Sequence, residues 1–181
     1  MIDEFHLGSK NRHWFRPNIT YNLGDSLFEF ASDEAHGDYI RNTTKGIRWT
    51  YGGREILIFE EGNRIFGLPT PDGQRVVVIY PSDHRTYPAP ENAVVYNADG
   101  SVHLRLKMPR LISSVAQEHE RFVRKQGGIF NCYFDGVLWT KNSEGKGVIA
   151  VKICFHWEWI EERQLEHETG EFGECLAVYR V

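Results

Sequence analysis

Cys154, His156 and Glu158 stand at alternate positions in the segment Cys154-Phe155-His156-Trp157-Glu158-Trp159. A thiolate, an imidazole and a carboxylate are donors that zinc accepts, and a Cys–His pair can also make a nucleophile. If residues 148–160 form one long strand, its side chains alternate between two faces. Val151, Ile153, Phe155, Trp157 and Trp159 then share one face, and Lys152, Cys154, His156, Glu158 and Ile160 the other. Positions two apart on a strand are separated by about 7 Å, so the three donors fall in a line. Metal ligation and nucleophilic catalysis need groups that converge from several elements. The segment therefore reads first as a mixed polar face, and no metal or other cofactor is expected.

Ser82, Asp83 and His84 lie together in the loop 81–90, which also holds Pro81, Pro88 and Pro90. A Ser-His-Asp relay is assembled from separate elements, so three neighbours on one loop do not make one. The loop reads as an ordered surface segment able to make contacts. P-loop, GxGxxG, GxSxG, HExxH and EF-hand patterns are all missing from the sequence, which lowers the common enzyme classes. A second reading keeps a small-ligand β-barrel or an unusual hydrolase, with Cys154, His156, Glu158 and His84 as its polar groups.

Charge is distributed unevenly. The chain holds 21 Lys and Arg against 25 Asp and Glu, a net charge of −4, which disfavours a nucleic-acid partner attracted by global charge. That sum averages two stretches. His103, Arg105, Lys107, Arg110, Arg121 and Arg124, with Lys125, form a basic one that could hold a phosphate or an acidic partner, and an RNA or nucleotide binder is a third reading. Glu158, Glu161, Glu162, Glu166, Glu168, Glu171 and Glu174 form an acidic one beside Trp157 and Trp159. An acidic ridge bordered by aromatics suits a basic protein partner, by steering its approach and anchoring its contact.

The elements that position these residues are mostly short β-runs between Gly, Asn, Asp and Pro turns. Strands are predicted at 54–59, 63–67, 75–80, 94–96 and 101–107, the last two joined by Asn97-Ala98-Asp99-Gly100. Asp135-Gly136 predicts a second hairpin between 129–134 and 137–140. Strands at 148–160 and 175–181 follow. One helix is predicted near 114–126, capped by Ser113 or Ser114 and stopped by Gly127-Gly128, with Val115, His119, Phe122 and Val123 on one face. Residues 19–31 read as a strand pair broken near Gly24-Asp25, and 32–46 as loop. The expected fold is mainly β in an α+β arrangement, a mostly antiparallel sheet or open barrel of hairpins with one helix packed on it.

A chain of 181 residues with 41% hydrophobic and 13% aromatic content buries about 70% of its unfolded surface in one domain. The longest apolar run, Val76 to Tyr80, is far too short to cross a bilayer, so no membrane partner is expected. The acidic start Met1-Ile2-Asp3-Glu4 is unlike a secretory signal, and the three cysteines, Cys132, Cys154 and Cys175, are odd in number with no CxxC. Both point to a reducing, cytoplasmic setting.

The segment from Val94 through Asn97-Ala98-Asp99-Gly100 to Pro109, with the closing Glu168-Thr169-Gly170-Glu171-Phe172-Gly173-Glu174, resembles small single-domain bacterial immunity proteins of contact-dependent inhibition and related toxin systems. The likeness is one of style over about half the chain, and no functional residue transfers through it. It implies a non-enzymatic domain that binds and neutralises a cognate toxin, often a basic nuclease.

Overall fold

Left-handed turns divide the chain into antiparallel hairpins. The computed structural model describes residues 1–10, 13–21 and 27–181. In chain order the strands are β1 (Asp3–Ser9), β2 (Trp14–Phe15), β3 (Lys45–Tyr51), β4 (Arg54–Ile58), β5 (Phe66–Pro69), β6 (Arg75–Ile79), β7 (Ala93–Asn97), β8 (Val102–Arg105), β9 (Cys132–Lys141), β10 (Gly147–Phe155), β11 (Trp159–Glu166) and β12 (Glu171–Arg180). Helix α1 (Asp33–Arg41) precedes β3, and α2 (Ser114–Lys125) precedes β9. The strands form three four-stranded sheets, ordered β2-β1-β3-β4, β5-β6-β7-β8 and β12-β11-β10-β9. Among the described residues every strand pair is antiparallel and no sheet closes into a barrel. The mainly antiparallel β architecture expected from the sequence is the one observed.

At the β7–β8 turn Gly100 has φ +86°, and a Cβ there would meet Ile56 at 2.8 Å, so glycine serves both backbone and packing. Asp99 completes the turn by accepting from the Ser101 amide at 3.0 Å. Val76, Val77, Val78, Val94 and Val95 are all fully buried. The second sheet is thus covered on both faces, which is why its strands read as unbroken apolar runs. One core joins these valines to Leu7, Ile47 and Trp49 of the first sheet and to Phe134, Val151, Ile153 and Phe155 of the third. Directed bonds join the sheets as well. The Trp49 indole donates to the Ala98 carbonyl at 2.7 Å, and the Trp139 indole to Pro69 at 2.8 Å. The buried Asn92 amide donates to Tyr80 and Phe134 carbonyls and accepts from the Phe134 amide.

Four local expectations are corrected. Residues 32–46 are not loop: Ser32 caps α1 through the Ala35 amide, and Asp33, Glu34 and Arg41 match the helix dipole. Asp135-Gly136 is not a turn. Strand β9 runs straight through it, with a register shift that leaves Asp135 as a bulge between Gly136, opposite Lys152, and Phe134, opposite Ile153. Residues 19–21 and 27–31 are not strands, and Gly24-Asp25 lies outside the described residues. The run 148–160 is not one strand but two, β10 and β11, which turn back on each other at His156. The predicted helix stands as α2, with Ser113 as its cap.

Candidate functional site: the tip of the β10–β11 hairpin

Phe155 and Trp159 face each other across the hairpin, so His156, Trp157 and Glu158 form its turn. His156 and Trp157 have φ of +50° and +68°, left-handed values that cost a non-glycine residue about 1 kcal/mol each. Packing behind the turn holds it there. The His119 ring of α2 lies 5.2 Å from His156 and 5.6 Å from Trp159, and Phe155 stacks on Trp159 at 6.5 Å. The Glu158 carbonyl accepts from the Val181 amide at 2.9 Å, and the Glu158 carboxylate pairs with Arg180. His156 Nδ1 is buried without a hydrogen-bond partner among the described residues.

The turn directs Trp157 outward, 73% exposed, with Tyr133 at 6.4 Å. Phe122, three residues along α2 from His119, is 61% exposed, and Ile129, just before the Asn131 carbonyl that accepts from the His156 amide, is 82% exposed. Trp157 thus stands exposed on the strained turn, and Phe122 and Ile129 are exposed on the two segments whose His119 and Asn131 contact that turn. The Glu158–Arg180 and Glu120–Arg124 ion pairs lie beside them. The sequence pattern pointed to Trp157 and Trp159 but put Phe122 on the packed face of α2. No glycine marks the turn, so nothing in the sequence signals its geometry.

The acidic stretch is dispersed by the fold. Glu161 is fully buried, accepting from the amides of Ile112 and Ser113 and from the Ser113 hydroxyl, and pairing with the buried Arg163 at 3.2 Å. Glu162 is buried under the Tyr179 hydroxyl. Neither is available as a contact residue. Glu166 lies opposite Glu171 in the strand register, at the far end of β11 from Trp157. Glu168 binds Arg75 at 2.7 Å, and Glu174 accepts from the Ser143 amide.

The basic stretch is largely neutralised. His103 donates to the Glu168 carbonyl, Arg105 binds the carbonyls of Glu91 and Pro88, and Lys107 pairs with Glu91 at 3.2 Å. Arg124 pairs with Glu120, while Arg110 and Arg121 are exposed. The two stretches therefore meet: the Glu168 turn packs against β8, so the charges that look polarised along the chain partly cancel in space.

Cys154 and His156 do not share a strand face, because the turn intervenes. Burial pushes the Cys154 and Cys175 thiols up, and burial pushes Cys132 up to about 12. Such thiols make poor nucleophiles and poor zinc ligands. Among the described residues no group of three His, Cys, Asp or Glu side chains is gathered as a metal site would need. His84 is buried, and its Nδ1 accepts from the Thr86 and Tyr87 amides, so the ring proton sits on Nε2 and is donated to Glu60 at 2.9 Å. No ring lone pair remains for base catalysis, and the imidazole instead folds the loop 81–90. No protein-family model matches the chain, and no curated protein matches it either.

Proposed function

We propose that the chain is a protein-binding domain rather than a catalyst, and that it acts as an inhibitor of the immunity-protein kind. The carrying observation is Trp157, a large aromatic presented to solvent by a turn whose backbone is left-handed without glycine. Tryptophan is enriched among residues that dominate binding energy, and strained backbone concentrates where it serves function. Phe122 and Ile129 supply an apolar centre, and the neighbouring ion pairs a polar rim, the usual anatomy of a protein interface. The partner is a toxin domain with an apolar pocket for the indole. Its basic character would be met by the part-exposed Glu158 of the tip rather than by the buried Glu161 or Glu162.

The test is retention of a partner from source-cell extract by immobilised protein. Wild type should retain a protein that is toxic when expressed without this chain, and Trp157→Ala should weaken its binding by about 2 kcal/mol or more while keeping its circular dichroism. Equal retention by both forms would overturn the contact surface. A retained partner with no toxicity would overturn the immunity reading.

A further inference from the structure

A cleft of about 750 Å³ opens between α1, the segment before it and the start of β3, and shares no lining residue with the hairpin tip. Small-molecule sites commonly enclose about 300–1,000 Å³. One wall is aromatic. Phe28 and Phe30 lie nearly parallel at 6.0 Å, Tyr39 stands 5.5 Å from Phe30, and His36 stacks on Phe30 at 4.8 Å. Phe15 backs them, 4.6 Å from Phe30. Beside the rings Ile40 is left 58% exposed and Phe28 37% exposed, so apolar surface faces the opening.

The other wall is cationic. Lys45 and Arg64 are bridged neighbours, and the Lys45 ammonium lies 4.2 Å from the Tyr39 ring centre. Among the described residues neither forms an ion pair, whereas Arg48, Arg75 and Arg105 each meet a carboxylate. Burial, and then the charge of Arg64, pushes the Lys45 ammonium below its ordinary range. Asp33 is the acid in the lining and stands in the first turn of α1. Two adjacent cations on a partly dry wall repel each other, and an anionic head group between them would relieve both costs. Flat rings beside them favour a flat apolar body, which offers offset-stacked or edge contacts.

We propose that this cleft binds a small organic anion with an aromatic body, its ring against Phe28 and Phe30 and its carboxylate or phosphate between Lys45 and Arg64. This goes beyond the protein-binding reading and does not depend on it. The experiment is calorimetric titration of the full chain with 2-naphthoate, 2-naphthyl phosphate, neutral 2-naphthamide and cyclohexanecarboxylate. At least one naphthyl anion should bind saturably, with the tighter of the two naming the head group. The amide should bind about tenfold more weakly or worse, the worth of one charge-assisted hydrogen bond. Arg64→Gln, at an exposed position, should weaken the anion by a similar factor and leave the amide unchanged. Lys45→Gln should do the same if it folds, and Trp157→Ala should bind as wild type does.

The proposal is overturned if neither naphthyl anion binds below about 10 mM, a free energy of under 3 kcal/mol. Equal binding of amide and anion, or an unchanged affinity in Arg64→Gln, would also overturn it. Cyclohexanecarboxylate binding as tightly as naphthoate would overturn its aromatic part.

Discussion

Glu161 shows what one buried carboxylate does when every acceptor site is used. Its side chain comes from β11, yet it caps the start of α2 through Ile112 and Ser113 and neutralises Arg163. Arg163 in turn binds the carbonyls of Arg110 and Gly173. Removing the carboxylate strands a buried guanidinium and two amides, so Glu161→Ala should cost about 3–5 kcal/mol in urea unfolding, and Glu161→Gln less. Reversing this charge would disrupt the fold rather than report on a partner. The thiols give a second residue-scale expectation. A Cys132 pushed up to about 12 by burial has its thiolate fraction at pH 8 reduced about a thousandfold from that of a thiol at 9. All three cysteines should react slowly with an alkylating reagent at pH 8 in the native protein and quickly in denaturant. A fast native thiol would contradict the upward shift that desolvation gives each of them. The role of Glu161 was not legible in the sequence, because its partners lie 48 and 49 residues earlier and nothing local distinguishes it from Glu166.

The β10–β11 hairpin carries the main expectation at the scale of elements. A glycine at Trp157 would occupy φ +68° without strain, and an indole that is 73% exposed forfeits little packing. Trp157→Gly should therefore leave stability unchanged or raise it by up to about 1 kcal/mol, while weakening partner binding at least as much as Trp157→Ala does. A loss of more than that in thermal unfolding would place the indole among the packing groups instead. This hairpin also explains what the sequence withheld. A mostly apolar run from 148 to 151 leads into an alternation of Lys152, Cys154, His156 and Glu158 with Ile153, Phe155, Trp157 and Trp159, which passes through the turn without a glycine to interrupt it, so two strands read as one. Asp135-Gly136 misled in the opposite sense, since a turn dipeptide marks a bulge in β9. Helix α1 contains Gly37 and little apolar periodicity, and is set by its cap and end charges. By contrast, the valine-rich β6 and β7 and the turn at Asp99-Gly100 were legible, because continuous apolar runs and an Asp-Gly turn each have a local physical cause. Of the candidate site, Trp157 was visible as an aromatic beside acids; Phe122 and Ile129 became surface only once α2 was placed over the hairpin.

Across the whole molecule, the seam between the second and third sheets combines polar contacts with the shared core. Glu168 meets Arg75, and His167 lies 3.5 Å from Asp72. Burial raises the Asp72 carboxyl, but bonds from the Thr70 hydroxyl and the Gln74 amide, together with His167, outweigh it and leave the group below its ordinary range. A carboxyl lowered by folding adds stability above its unfolded value near pH 4, and that stability is lost as pH falls through the lower native value. Asp72 is half exposed, so solvent limits the gain to under about 1 kcal/mol. Asp72→Asn should be slightly less stable than wild type at pH 7, with the difference shrinking below about pH 3. A constant difference across that range would assign the effect to the turn's geometry rather than its charge.

The outward Trp157 also has a spectroscopic consequence. Of the five tryptophans, Trp49 is fully buried and Trp14, Trp139 and Trp159 are half-buried, which leaves Trp157 as the ring most open to a dissolved quencher. Iodide, an anion that does not enter packed interiors, should dim chiefly this one emitter. The fraction of light it removes should fall when the hairpin tip is covered, so the native chain can signal occupancy of its own contact surface without an added label.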